Sequence, residues 1–193
     1  MTTFFSQRYS KQGLWSLFLI CAFPLHLWTL LLAFRDLSWL TDRTNAWDAI
    51  GVASYGMVFA FIESLIVFLF FALLGFLIAK QWEQNQRISL LSALVLILSL
   101  WAIIGQLYFL LGISFPDSWV ALFAQSSHPL RVLYIVAALI VALTLLIPAW
   151  FILRSDKALH FMQGLSERLS LLAMVYLFFD VVGLVIVIIR NIA

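Results

Sequence analysis

Two acids fall where the hydrocarbon of a membrane would be. Glu63 lies within the apolar run 57–79 and Asp180 within 169–189, and neither run has a Lys or Arg that could neutralise its acid. A charge at the centre of a bilayer costs roughly 2.5–3.5 kcal/mol even on the lenient insertion scale, so such a residue is a functional candidate by default.

Helical spacing gives these acids company, because residues three and four apart share a face. His26 lines up with Ala22, Thr29 and Ala33, Glu63 with Gly56 and Ala60, and Asp180 with Ala173, Tyr176 and Gly183. Two further runs carry similar stripes: Ser92, Ser99, Ala102 and Gln106 in one, Ala137, Val141, Thr144 and Pro148 in the other. Membrane helices pack through small residues because lipid supplies no hydrophobic drive between them. The stripes are therefore expected to face one another as the bundle interior, with bulky residues such as Phe68, Phe70 and Phe71 facing lipid or filling gaps.

At a helical rise of 1.5 Å per residue, His26 lies about 13 Å below Arg35 and Glu63 about 25 Å above Lys80. Asp180 lies about 18 Å above Arg168 and Gln106 about 28 Å above Arg87. These levels predict a polar pocket opening outward, built from His26, Glu63, Gln106, Tyr176 and Asp180. Two acids held close titrate as a unit, and a histidine beside them takes up a proton or forms an ion pair. That is equipment for proton-linked binding or for holding a cation. One His with two acids can ligate a divalent metal, but no ligand pair at i, i+3 or i, i+4 exists, so no metal is expected. Bis-histidine haem fits no better, since His160 falls on the opposite side from His26 and His128. No cofactor is expected.

A structural reading competes with the pocket. Protonated Glu63 and Asp180 would serve as interhelical hydrogen-bond donors worth about 0.6–2 kcal/mol each. His26 would be a neutral core residue, Gln106 would sit among headgroups, and Pro24 would kink its helix and free the Ile20 carbonyl. In a third reading at least one acid docks a partner protein.

The elements that position these residues follow from composition. Of 193 residues, 65% are hydrophobic and 10% charged, against about half and a quarter in soluble proteins. The mean hydropathy is +1.09. Water is not the main solvent of this chain, and no segment has the composition of a soluble domain. The net charge of +2 and the lack of a basic stripe exclude a nucleic-acid partner. One cysteine, Cys21, rules out an internal disulfide and a cysteine metal cluster.

Five runs are long enough to cross roughly 30 Å of hydrocarbon as helices: 14–34, 57–79, 88–111, 132–153 and 169–189. The first follows a basic stretch like that of a signal peptide, but it is too long and lacks a cleavage pattern, so it is read as a retained helix. With the N-terminus inside, the inner side holds Arg8, Lys11, Lys80, Arg87, Arg154, Lys157 and Arg168, against Arg35, Arg43, Arg131 and Arg190 outside. That balance favours N-inside, C-outside. Trp15, Trp82 and Trp150 form an inner aromatic belt, and Trp39, Trp47 and Trp119 an outer one.

Loops carry readable punctuation. Asn45-x-x-Asp48 predicts that the second helix starts near Ala46; it would then be about 50 Å long and must protrude, tilt, or bend near Gly51 and Gly56. Ser114-x-x-Asp117 with Pro116 predicts a short helix over 115–124, whose Phe115, Trp119, Leu122 and Phe123 would lie on the outer membrane surface or act as a lid. Ser127 or His128 before Pro129 starts the fourth span. Ser166 starts the fifth, after a separate inner helix over 157–163 that ends at Gly164. No internal repeat is visible, and an odd span count argues against paired inverted halves. Asp36, Asp42 and Asp48 lack the Gly and terminal Glu of a calcium loop, and no protease, hydrolase or nucleotide motif is present.

The expected architecture is an all-α integral membrane protein. Residues 1–193 form a single transmembrane domain, a five-helix bundle with N-inside/C-outside topology and a short outer interfacial helix, placed in the cell membrane. Its expected partners are the lipid bilayer, a membrane-protein subunit, and a small-molecule or ion ligand. Three functions stay open: an accessory or assembly subunit of a membrane complex, a binding or transport protein for a proton-coupled or cationic solute, and an intramembrane enzyme acting on a lipid-like substrate.

Overall fold

The computed structural model describes residues 9–36, 43, 45–78 and 82–192. Arg8, Trp39, Asp42 and Lys80, used above for orientation, belt and loop arguments, lie outside these residues. The described elements are helical, in the order α1 (Lys11–Arg35), α2 (Ala46–Leu77), α3 (Gln84–Leu110), α4 (Asp117–Ala124), α5 (Pro129–Arg154) and α6 (Asp156–Ile192). Five of them, all but α4, are long and apolar enough to cross a membrane.

Local chemistry sets the helix ends. Ser10 Oγ accepts from Gly13 N at 2.9 Å to start α1, and Asn45 Oδ1 accepts from Asp48 N at 2.9 Å to start α2 at Ala46 as its cap predicts. The box is only half formed, because the Asp48 carboxylate accepts from Arg190 Nη2 at 2.7 Å. Gly112, at φ 61°, takes the left-handed conformation that stops α3.

Two expectations about boundaries give way, at α4 and within α6, and one holds. Ser114 does not cap α4; the Pro116 carbonyl accepts from Trp119 N at 2.9 Å and Val120 N at 3.1 Å, so the helix begins directly after the proline. The fourth span starts at Pro129 after His128 as expected, with no side-chain cap. Neither Gly164 nor Ser166 marks a boundary: α6 is one helix of 37 residues. A glycine inside a helix costs only about 1 kcal/mol, and Met162, Leu159 and Leu165 pack with Ala93 and Ile152, which fixes the inner part of α6 against α3 and α5.

The core sits between α1, α2, α6 and the inner half of α3. Leu17, Ile20 and Cys21 of α1 pack with Phe71 of α2 and with Leu91 and Val95 of α3. Phe18 and Leu19 pack on Ala173 of α6. Small residues permit the close approach: a Cβ on Gly183 would stand 3.2 Å from the Ser54 carbonyl oxygen. Ahead of α1, Tyr9 donates to Ala72 O at 2.8 Å and occupies the space that Gly75 leaves open.

The expectation that every stripe turns inward holds for α1 and α6, holds in α2 at Ala60 but not at Glu63, and fails for α5. Ala137 is exposed, Val141, Thr144 and Pro148 are half-buried, and Ile152 is the buried residue of α5. In α3 the stripe is buried at Ser92 and exposed at Ala102 and Gln106. Arg87, counted above as an inner surface charge, is 2% exposed and donates to Trp82 O at 3.4 Å. It lies at the end of the first turn of α3.

Candidate functional site

His26 and Asp180 meet across α1 and α6. His26 is fully buried and the Asp180 side chain is 8% exposed. The imidazole Nε2 lies 2.9 Å from one carboxyl oxygen and 3.0 Å from the other, while Nδ1 lies 2.7 Å from Ala22 O. A carbonyl oxygen only accepts, so Nδ1 carries a proton and donates it. The Nε2 contact then needs a second proton, held on the imidazole or on the carboxyl group. With either placement the pair is neutral overall, the arrangement that a low-dielectric interior tolerates best.

Aromatic rings frame the pair. Tyr176, one turn before Asp180, stacks on His26 at 6.1 Å and 9°, and Phe23 also stacks on Tyr176 at 6.1 Å. Tyr176 thus orients the imidazole by its face. Asp180 also forms part of the wall of a groove of about 890 Å³ between α1, α2 and α6. Phe18, Phe61 and Phe68 line that groove and Lys11 stands at its inner end.

Glu63 is not part of this site. It is exposed and lies at the floor of a second groove of about 510 Å³ between the outer halves of α1 and α2, with Thr29, Ala33, Gly56 and Ala60. Val58, Phe61, Ile62 and Leu65 face the first groove. At about 100° per residue, Glu63 projects from the opposite side of α2. The two acids therefore open onto different grooves. Among the described residues none hydrogen-bonds or pairs with Glu63. Gln106 stands apart from both acids, exposed on the outer half of α3. Of the five residues singled out from the sequence, the structure brings together His26, Asp180 and Tyr176.

Sequence reasoning missed two polar features. One is the pair of hydroxyls Ser166 and Ser170, both buried and, like Ser92, without a hydrogen-bond partner among the described residues. Its signal was the i, i+4 spacing of Ser166 and Ser170. The other is an outer clamp, in which Arg190 of α6 donates to Trp47 O and to Asp48 and lies 5.5 Å over the Trp47 ring. Gly51 makes room for it, since a Cβ there would stand 2.6 Å from the guanidinium carbon. No group of three or more His, Cys, Asp or Glu that could hold a metal occurs among the described residues.

Comparison with known proteins finds no matching family model, no matching curated protein and no matching solved structure. The class defined by fold and site is a helical bundle of the membrane type with a buried His–Asp link.

Proposed function

We propose that this chain is a small accessory or assembly subunit of a complex in a cell membrane, oriented N-inside and C-outside. The observation that supports this most is Glu63: an exposed carboxyl group, deep in a span, that no described residue satisfies. An ionisable group at that depth normally faces a bundle interior or an aqueous cavity and has a partner. In this reading the partner is supplied by another subunit. The exposed outer parts of α3 and α5 offer further surface for the same assembly.

Extraction in mild detergent from the native membrane tests it. The expected particle exceeds the 22.0 kDa chain, holds a second protein in fixed ratio, and is lost in Glu63→Arg. A monodisperse monomer without a second protein overturns the reading.

A second reading, solute binding linked to a proton, is favoured by one observation: Asp180 shares its carboxyl group between His26 and the wall of the larger groove. Reconstituted protein whose proton-coupled uptake is unchanged by Asp180→Asn would remove it. A lipid-directed enzyme has less support, because it called for both acids in one cleft.

A further inference from the structure

We infer that the groove between the outer halves of α1 and α2 receives a transmembrane helix of another protein, and that this helix carries a Lys or Arg placed against Glu63. The inference rests on the subunit reading above and names the chemistry of the partner.

Three observations lead to it. The groove's lining combines bulky residues such as Phe34 and Phe59 with small ones, Ala33, Ala49, Ala53, Gly56 and Ala60, and the small ones let a helix backbone come close where lipid gives no other drive. Its floor holds an acid without a partner among the described residues, while Asp36 at its mouth already pairs with Arg35 at 3.3 Å. The missing charge is therefore one cation, at the depth of Glu63.

A second copy of this chain does not provide it. Among the described residues, Lys and Arg stand near helix ends or, as Arg168 in α6, at the border of the apolar run 169–189, and the one histidine deep in a span, His26, is buried against Asp180. Two copies meeting at this groove would set acid against acid. A bare lipid chain would fill the volume and leave the carboxyl group unmatched.

Synthetic helices of about 22 residues, long enough to cross the bilayer, test the inference with the full-length chain. Polyleucine peptides bearing Lys, Glu or Leu at the centre are labelled with an acceptor fluorophore. Energy transfer from labelled protein is read in phosphatidylcholine vesicles. The Lys peptide is expected to associate about tenfold more tightly than the Leu or Glu peptide, the scale of one polar contact between membrane helices. Glu63→Gln abolishes that preference and should fold, since Glu63 is exposed. Ala53→Phe fills the groove and weakens all three peptides.

Equal binding of Lys and Leu peptides, or a preference that survives Glu63→Gln, overturns the inference. So does strong transfer between differently labelled copies of the chain without peptide. A native complex with no Lys preference would leave the subunit reading standing and remove this one. A Lys preference in a protein that is monomeric in its native membrane would do the reverse.

Discussion

α1 and α5 are of similar length and apolarity, yet they sit in the molecule in opposite ways. In α1, 44% of the most apolar stretch is buried; in α5, none of it is. The difference is not hydrophobicity, since both helices would lie equally well in lipid. α1 is tied by polar links and close contacts: the His26–Asp180 pair to α6, and Thr29 against Gly56 of α2. The Tyr9 bond to Ala72 holds the segment before it. Among the described residues, α5 has one interhelical hydrogen bond, from Trp101 Nε1 to Thr144 Oγ1 at 3.0 Å, and an apolar contact at Ile152. Where the solvent is hydrocarbon, small residues and satisfied polar pairs decide what packs.

That contrast can be broken most forcefully at the His–Asp pair. Asp180→Ala leaves a buried imidazole without its partner and is expected to destabilise the bundle by about 3 kcal/mol. The measurement is unfolding in mixed detergent micelles. The double variant His26→Leu/Asp180→Leu should lose much less than the sum of the single changes. Additive losses would mean that the two groups do not act as a pair.

Gly183→Leu comes next. It drives a side chain into the Ser54 backbone and should cost about 1–3 kcal/mol. If the melting curve is unmoved, α2 and α6 are not as closely packed as described.

Tyr9→Phe removes the bond to Ala72 and should cost about 1 kcal/mol, read in the same assay. Thr144→Val removes the link between α3 and α5 and should cost about 0.6 kcal/mol. Its clearer signature is faster amide exchange confined to α5. Comparable slowing across α1 and α5 in the wild type would contradict the division into a packed core and a loose arm.

The spans were legible because their cause is local. A run of about 20 apolar residues must become a helix in lipid, whatever surrounds it. Asn45 announced the start of α2 for the same reason, its side chain bonding a backbone group three residues away. The run of α6 through Gly164 was not legible, because contacts with α3 and α5 override a single weak helix former.

The candidate site divides along the same line. The sequence by itself determined that His26, Glu63 and Asp180 lie deep in separate apolar helices, with Tyr176 one turn from Asp180. Helix length and 3.6-residue periodicity are properties of the chain alone. Only the tertiary structure decided that Asp180 turns to His26 while Glu63 opens on the other side of α2. The crossing of α1 over α2 sets which stripe meets which. That crossing depends on the fit of Gly56 to Thr29, and the approach of α6 to α2 on that of Gly183 to Ser54, contacts between residues far apart in the chain.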